Sequence, residues 1–354
     1  MITAELVRAL EDHGLLVSLQ GELPSELRGL PQSDNRQLKQ GDIFIAIKGF
    51  STDGHKYIRN ALERGASCII FQDECPAEAV GIKVSDSRKA AAVLAKQYYH
   101  DPSRKFSLLG ITGTNGKTTT SLLIFNVLRN LGFKAGWIGT LGYYIEAELF
   151  ETKHTTPDIM ELNSILARMA DAELDFVVME VSSHAIALDR VYGLEFDYCL
   201  FSNLSRDHLD FHHSMAEYAQ TKYSWLESCC SSGATALINT DDKTGAEFNL
   251  SLKSQNYLVK TVGSANGDYQ IRDVVTKPES STFSLLTPGQ TIEIRSPLIG
   301  TFNVLNLALA ASTLDLMGMG SDRLGFAIAG IDPVKGRFER VPNQRGIGVY
   351  VDYA

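Results

Sequence analysis

The sequence predicts an α/β protein, with a small amino-terminal α/β domain followed by a larger domain built on a mainly parallel sheet. Three observations support this fold class. Apolar runs of strand length alternate with segments of helical periodicity. A glycine-bearing loop follows the apolar run Leu108–Thr112 and opens a helical segment. The turn Asp101-Pro102-Ser103 interrupts the alternation and marks a domain boundary.

Residues 1–100 are expected to form the small domain. Ile2, Leu6, Val7 and Leu10 lie on one face of a predicted first helix. Strands are predicted at residues 42–47, 67–71 and 81–84, and further helices after residue 57 and over residues 90–100.

Residues 101–335 are expected to form the larger domain. Its predicted strands, at residues 108–112, 176–181, 198–202 and 235–238, alternate with helices, as in a parallel sheet. Short alternating strands and turns over residues 257–298 predict an antiparallel appendage. Helices are predicted after Gly300 and over residues 322–328.

Residues 336–354 have the pattern of the start of another α/β unit, with a strand-like run at 348–352. A parallel sheet cannot finish with one strand and no crossover connection. We therefore expect a truncated chain whose third domain is missing.

Composition is typical of a soluble globular protein, with 44% hydrophobic and 21% charged residues in 354. The net charge of −9 argues against a nucleic-acid or anionic-membrane partner. Five cysteines without paired metal spacing fit a reducing cytosol. Neither a signal peptide nor an apolar run of membrane-spanning length is found. A monomeric, cytoplasmic protein without nucleic-acid partner or membrane insertion is expected.

The loop Gly113–Thr119 carries the strongest functional signal. Its glycines let the backbone turn and aim amides at phosphate oxygens, and the helix N-terminus adds a favourable dipole. Lys117 supplies a charge for terminal phosphates, and Thr118 a hydroxyl for Mg²⁺. In the general pattern the first glycine would stand at Ile111, so a plain turn before a helix is the alternative. The agreement of strand, loop, Lys-Thr pair and helix favours ATP binding.

Polar side chains follow two more predicted strands. Ligands bind at the carboxyl ends of strands in such sheets, so Glu180 is a candidate Mg²⁺ ligand rather than a solvated carboxylate. His208 stands among Arg206, Asp207 and Asp210, which favours a functional over a structural histidine. Nothing in the local pattern distinguishes Lys222 from a solvated lysine.

Eight motifs occur together in a fixed order: Gly113–Thr119, His154–Asp158, Met179–Ala185, Asp189–Gly193, Asn203–His212, Thr301–Asn306, Gly336–Glu339 and Val351–Ala354. Together they resemble the Mur ligases, and within them the UDP-N-acetylmuramoyl-tripeptide synthetases (MurE type), over essentially the whole chain. The phosphate loop alone indicates the superfamily, which includes folylpolyglutamate synthetase. The second and third motifs narrow the resemblance to the third muramyl ligase.

The resemblance implies an ATP- and Mg²⁺-dependent amide ligase of peptidoglycan precursor synthesis. The family activates a substrate carboxylate as an acyl phosphate, which the amine of an amino acid then attacks. In this branch the acceptor is UDP-MurNAc-L-Ala-D-Glu, extended at D-Glu by a diamino acid, meso-diaminopimelate or L-lysine. Such chemistry needs phosphate charge neutralised by lysine and metal ions.

Matching positions imply individual roles. Lys117 contacts the β- and γ-phosphates, Thr118 and Glu180 serve Mg²⁺, and His208 binds a second metal ion. Lys222 matches the lysine that the family carbamylates, and a carbamate can hold a hard cation. The resemblance thus reverses the interpretation of Lys222 as solvated. The other implied nucleotide-binding residues are Gly113, Thr114, Asn115, Gly116, Thr119, Asn303, Asn306, Arg337 and Asp352.

Other positions are implied to bind the muramyl substrate. They are Thr155, Thr156, Ser182 and Arg190, while segments 33–36 and 49–54 of the first domain bind uridine diphosphate. The family usually has Asp-Ser-Arg where this chain has Asp34-Asn35-Arg36, and Asn35 can still hydrogen-bond uracil. For Asn303 and Asn306, helix capping or solvent exposure is the alternative.

The implied domains are a UDP-substrate domain at residues 1–100, a central P-loop ATPase domain at 101–335 and the start of a Rossmann-like C-terminal ligase domain at 336–354. Without that last domain the fragment is expected to be poorly active alone. Two alternatives stay open: a folylpolyglutamate synthetase-like ligase, and a non-catalytic nucleotide-binding module.

Overall fold

A computed structural model describes residues 1–49, 52–331, 336, 339–341 and 348–352. The chain forms two compact units. The first unit contains Met1–Ser103, Pro157–Ala170 and Ala187–Leu194, and the second contains Arg104–Thr156, Asp171–Ile186 and Glu195–Ala354. The α/β class predicted from sequence is confirmed in both.

The amino-terminal part of the first unit has one small sheet and its helices. In chain order these are α1 (Thr3–Asp12), β1 (Leu16–Gln20), β2 (Pro31–Gln32), β3 (Ile43–Ile45), α2 (Ile58–Glu63), β4 (Cys68–Phe71), β5 (Gly81–Val84) and α3 (Ser87–Tyr98). The strand order is β1-β5-β4-β3-β2, with β1 antiparallel and the others parallel. Helix α3 begins earlier than predicted because the side chain of Asp86 accepts hydrogen bonds from the amides of Arg88 and Lys89.

The next part of the chain carries the phosphate loop. Its elements are β6 (Ser107–Thr112), α4 (Lys117–Asn130), β7 (Ala135–Gly139), β8 (Gly142–Ile145), β9 (Glu148–Phe150), α5 (Ile159–Asp171), β10 (Phe176–Glu180), α6 (Ser183–Ala187), β11 (Tyr198–Phe201), α7 (Leu209–His212) and α8 (Met215–Ser231). Within the part of the chain that the structure describes, short 3₁₀ turns occupy Asn35–Gln37, Gly54–Tyr57 and Pro102–Arg104. Most of α5 belongs to the first unit.

The remaining elements complete the second unit. They are β12 (Thr235–Asn239), α9 (Lys243–Ser254), β13 (Val259–Gly263), β14 (Tyr269–Lys277), β15 (Ser280–Leu286), β16 (Thr291–Ser296), α10 (Thr301–Leu316), α11 (Ser321–Ala329), β17 (Glu339–Arg340) and β18 (Tyr350–Val351). Strands β17 and β18 pair antiparallel. Among the helices described here, none combines the length and the apolar run needed to cross a membrane.

The large sheet has the order β16-β15-β14-β13-β12-β11-β6-β10-β7-β8-β9. Strands β7, β10, β6, β11, β12, β13 and β14 are parallel neighbours. Strands β14–β16 form the predicted antiparallel appendage. A second antiparallel extension, β7–β9, lies at the other edge and was not predicted, because its strands are short.

The helices α4 and α10 pack against one another in the core of the second unit. Helix α4 is buried over most of its length, since it lies between the sheet and α10. This packing brings the start of α10 behind the phosphate loop. Tertiary packing thus supplies partners that no local pattern predicts.

The chain order around β6 creates the site. Strand β6 lies between β10 and β11, and the chain leaves it toward the β10 side before returning to its other side. In such sheets the crevice at the carboxyl ends of the strands, where the winding reverses, is the place where ligands bind. The loop after β6, the end of β10 and the segment after β11 meet there.

Candidate functional site

The phosphate loop needs glycine at two positions for steric reasons. Gly113 and Gly116 have φ values of +148° and +85°. A Cβ on Gly113 would collide with the Ser202 hydroxyl, and one on Gly116 with the Asn306 side-chain oxygen. The unusual position of the glycine at 113 is therefore explained by a positive φ and by a side chain that packs directly against it.

Lys117 lies over its own loop. Its Nζ donates hydrogen bonds to the carbonyl oxygens of Gly113 (3.0 Å) and Thr114 (2.8 Å). This conformation keeps the ammonium group at the loop itself, where phosphate oxygens would be recognised.

The segment after β11 fixes the loop through hydrogen bonds. The amide of Thr114 donates to the Asn203 carbonyl (2.9 Å), and the amide of Asn115 to the Asn203 side-chain oxygen (3.0 Å). Ser202 Oγ donates to the Asn115 carbonyl (2.6 Å). Sequence reasoning did not assign Ser202 or Asn203 a role. Their position directly after a strand of the same sheet was the available signal.

A hydrogen bond joins Thr118, in the first turn of α4, to Glu180 at the end of β10. Thr118 Oγ1 donates to Glu180 Oε2 at 2.9 Å, and Glu180 has no exposed surface. The Thr140 amide donates to Glu180 Oε1 (2.9 Å), and the Thr140 hydroxyl to Oε2 (3.3 Å). Thr140 was not predicted, because its contact depends on β7 lying next to β10. A Cβ on the preceding Gly139 would collide with Glu180.

This pair fits a hard divalent cation. A carboxylate and a hydroxyl oxygen are ligands that Mg²⁺ prefers. A carboxylate taken wholly out of water is costly unless it is hydrogen-bonded and charge-compensated. The donor chemistry and the burial of Glu180 therefore agree with the predicted Mg²⁺ role.

Lys222 is buried rather than solvated. It lies on α8 with 1% exposure, and its Nζ donates to the Gly113 carbonyl (3.0 Å) and more weakly to Thr112 Oγ1 (3.5 Å). Burial lowers the pKa of Lys222 well below its usual range, and the charge of Lys117 adds to this effect while Asp207 opposes it. The local interpretation of a solvated lysine is therefore wrong, and the structure brings Lys222 to the phosphate loop.

A cluster of aromatic rings surrounds this part of the site. His208 is exposed, at φ +51°, with its Nε2 3.5 Å from Asp207 Oδ2. The ring of His184 lies 4.9 Å from that of His208 and 5.8 Å from that of His212. Burial lowers the pKa of His212, with a contribution from His184, and among the described residues its Nε2 has no hydrogen-bond partner.

The asparagines of α10 are buried below the loop. Asn303 Nδ2 donates to the Ile299 carbonyl (2.9 Å), and Asn306 Nδ2 donates to Asn303 Oδ1 (3.2 Å). Asn306 Oδ1 accepts from Thr120 Oγ1 at 3.4 Å. Both asparagines are buried, so solvent exposure, one of the two alternatives given for them, is wrong.

Three predicted substrate residues of the second unit lie together. Thr156 Oγ1 donates to the Glu180 carbonyl (2.8 Å) and accepts from the amide of Ser182 (3.1 Å). The hydroxyls of Thr155 and Thr140 are 3.3 Å apart. These hydroxyl groups therefore line the end of β10 next to the candidate metal ligand.

Two other predicted substrate residues belong to the first unit. Arg190 forms an ion pair with Asp158 (2.9 Å), and both line a pocket of about 230 Å³ with Ile47, Gly49, Arg88, Ile159 and Leu188. Asn35 Nδ2 donates to Asn60 Oδ1 at 2.9 Å. Asp352 is exposed after β18, and Arg337 lies outside the described residues.

One further cluster of possible metal ligands lies in the first unit. Asp53, His55 and Asp73 approach each other there. His55 Nδ1 is 2.7 Å from Asp53 Oδ1, and its Nε2 accepts from the amides of Gln72 and Asp73. Both ring nitrogens have hydrogen-bond partners, so His55 serves to fix this turn.

The sequence matches known families over most of its length. A profile described as "Mur ligase middle domain" matches residues 111–314, and one described as "Mur ligase family, catalytic domain" matches residues 32–99. A UDP-N-acetylmuramoyl-L-alanyl-D-glutamate–2,6-diaminopimelate ligase from Bacillus licheniformis is 37% identical over 91% of this chain and 67% of its own length.

Solved structures also resemble the fold, among them the two that follow. One with the same enzyme name has a TM-score of 0.82 at 27% identity, covering 94% of this chain and 68% of that chain. The folylpolyglutamate synthase of Mycobacterium tuberculosis has a TM-score of 0.63 at 18% identity, covering 76% and 67%. The second likeness shows the fold alone. This chain spans about two thirds of the length of these relatives.

Proposed function

This chain belongs to the Mur ligase family, and we propose that it serves the ATP-dependent ligation of a diamino acid to UDP-MurNAc-L-Ala-D-Glu. The relative at 37% identity bears the name of that reaction, with 2,6-diaminopimelate as the diamino acid. The observation that carries the proposal is the phosphate loop of Lys117, joined through Thr118 to the buried Glu180. The product would be a cytoplasmic peptidoglycan precursor, on which cell shape and division depend.

The loop residues bind and orient ATP in this proposal. In this proposal Asn203 holds the amides of Thr114 and Asn115, which fixes the shape of the loop, and the amides of Gly113 and Gly116 are the ones offered to phosphate oxygens. Lys117 neutralises charge on the β- and γ-phosphates, which assists phosphoryl transfer to the substrate carboxylate. We further propose Thr119, Asn303, Asn306, Arg337 and Asp352 as nucleotide-binding residues.

Thr118, Glu180, His208 and Lys222 are the residues that would hold magnesium ions. When bound, Mg²⁺ supplies positive charge that offsets the phosphate and carboxylate anions. Thr140 holds Glu180 in place through its amide and hydroxyl. Removal of water around these buried oxygens strengthens their electrostatic interactions.

Lys222 acts as a carbamate in this proposal. Its burial favours the neutral amine, whose nitrogen lone pair can form a bond to the carbon of CO₂. One C=O electron pair moves onto oxygen, and the nitrogen releases a proton to solvent. The product carries a negative charge, which suits a cation-binding site beside phosphates.

The muramyl-peptide substrate is assigned to two sets of residues. Thr155, Thr156 and Ser182 offer hydroxyl groups next to Glu180. Arg190 offers a guanidinium group for an acidic substrate, and Asn35 an amide for uracil. We also propose that the chain is a monomer and that its domains lie at residues 1–100, 101–335 and 336–354.

Calorimetric titration tests this function. The chain, with Mg²⁺ and a non-hydrolysable ATP analogue, is titrated with UDP-MurNAc-L-Ala-D-Glu and, as a control, with UDP-MurNAc-L-Ala. We expect a clear preference for the dipeptide form, since the terminal carboxylate reacts. Nucleotide binding without either muramyl ligand would instead favour the folylpolyglutamate synthetase-like ligase.

A second assay separates a ligase from a non-catalytic module. The chain is joined to the carboxyl-terminal third of the Bacillus licheniformis relative, and ADP release is measured with both substrates. Ligation is expected. A folded fusion protein that binds both substrates without ligating them would favour the binding module.

A further inference from the structure

Tyr218 lies at the centre of the site, although the proposed function gives it no role. It is on α8, one helical turn before Lys222, so the two side chains share a face. Its side chain is 1% exposed. A tyrosine buried this completely usually directs its hydroxyl to a specific partner.

The hydroxyl of Tyr218 contacts the phosphate loop. It lies 3.2 Å from Thr114 Oγ1. Thr114 Oγ1 also accepts from the Ser205 amide (3.0 Å) and lies 3.2 Å from the Ser205 carbonyl. Tyr218 therefore connects α8 with the loop after β6 and the segment after β11.

The ring of Tyr218 contacts Lys222. The Lys222 Nζ is 4.5 Å from the ring centroid and 3.0 Å from the Gly113 carbonyl. The rings of His212 and His208 lie 5.0 Å and 6.1 Å from the same ring. One side of the amine is thus covered by a rigid aromatic face, and a group added to Nζ can extend only away from it.

We infer that Tyr218 is a positioning residue that aligns Lys222 with the phosphate loop. The ring fixes the direction in which a group on the Lys222 nitrogen extends, and the hydroxyl fixes Thr114. This inference rests on the proposed function, because it assigns Lys222 and the loop to one catalytic site. The two parts of the side chain have separable effects.

Two variants separate the effect of the Tyr218 ring from that of its hydroxyl. Tyr218→Phe keeps the ring and removes the hydroxyl, whereas Tyr218→Leu removes both. Tyr223→Phe is the matched hydroxyl control, since Tyr223 is on the same helix and its hydroxyl contacts Ser251 (2.7 Å) away from the loop. Tyr269→Leu is the matched ring control, because Tyr269 is equally buried, on β14.

Two measurements are made on the 354-residue chain. Carbamate on Lys222 is detected by ¹³C NMR after equilibration with ¹³C-bicarbonate, and Mg²⁺-ADP affinity is measured by calorimetry. Tyr218→Phe should keep the carbamate signal and weaken ADP about fivefold, the equivalent of about 1 kcal/mol for one hydrogen bond. Tyr218→Leu should lose the signal as well, and both controls should behave as wild type.

The outcomes are distinct. A Tyr218→Leu variant that folds and keeps both the wild-type carbamate signal and ADP affinity would overturn the inference. If the wild-type chain itself shows no carbamate signal, the proposed role of Lys222 fails. The ADP affinity of Tyr218→Phe then decides the inference about Tyr218: a fivefold lower affinity supports it, and an unchanged affinity overturns it. A wild-type chain with neither signal would refute both proposals.

Discussion

Replacement of Gly116 by alanine tests whether the phosphate loop depends on the buried asparagine of α10. Gly116 directly precedes α4 with φ +85°, and an added Cβ would lie closer than 3.0 Å to Asn306 Oδ1. Gly132, just beyond the end of the same helix, has φ +91° and no heavy atom within 4 Å of an added Cβ. Alanine would be strained by the positive φ at both positions, but only at position 116 would its Cβ also collide with a neighbouring side chain.

The expected magnitudes follow from these contacts. Alanine in a left-handed conformation costs about 1–2 kcal/mol at either position. At Gly116 the Asn306 side chain must also move, which disturbs its hydrogen bonds with Thr120 (3.4 Å) and Asn303 (3.2 Å). Each buried hydrogen bond contributes about 1 kcal/mol. Gly116→Ala should therefore lower the free energy of unfolding by about 2–4 kcal/mol, and Gly132→Ala by about 1–2 kcal/mol.

Urea unfolding and ADP calorimetry provide the assay. Gly116→Ala should also lose ADP affinity by at least tenfold, because the loop amides are displaced, whereas Gly132→Ala should keep it. Combining Gly116→Ala with Asn306→Ala should cost less than the sum of the single changes. Equal costs for the two glycine variants, with full additivity in the double variant, would refute the reasoning.

Three further predictions concern charged groups. Glu180→Gln should reduce the Mg²⁺-dependent ADP affinity at least tenfold, since a buried anionic ligand is lost. The control is Glu161→Gln, at an exposed position, and the measurement is calorimetry with and without Mg²⁺. An ADP affinity of Glu180→Gln equal to that of the wild type in the presence of Mg²⁺ would contradict the prediction. Lys222→Ala should abolish the ¹³C-carbamate signal and lower the affinity for Mg²⁺-ADP at least tenfold, and added acetate should restore part of that affinity. The control Lys253→Ala, at an exposed position, should change neither. An unchanged affinity of Lys222→Ala would exclude the carbamate role. Burial raises the pKa of Asp189, helped by Asp86, so the folded state holds this proton more tightly than the unfolded state does. Its contribution to stability is therefore present at low pH and lost as pH rises through the raised pKa. Asparagine tolerates the φ of +54° at this position, so Asp189→Asn should raise the free energy of unfolding at pH 7 and leave it unchanged at a pH below the ordinary aspartate pKa. Urea unfolding at both pH values, with the exposed Asp12→Asn as control, checks this; a gain that persists at low pH would contradict it.

The sequence determined the order of strand, loop and helix around Lys117 and the location of polar residues at strand ends. These features depend on short stretches of sequence. Glycine sets the backbone conformation of the loop in which it stands, and an apolar run of strand length predicts a buried strand by itself. The same logic predicted Glu180 from its position after a buried strand. It predicted the appendage over residues 257–298 from alternation and turns.

The tertiary structure decided which distant residues complete the site. Thr140 contacts Glu180 because β7 pairs with β10, and Asn306 closes over Gly116 because α10 packs on α4. Lys222 looked solvated from its local pattern, yet the packing of α8 buries its amine against Gly113 and Tyr218. Strand order and helix packing follow from burial summed over the whole chain, so no window of sequence contains them.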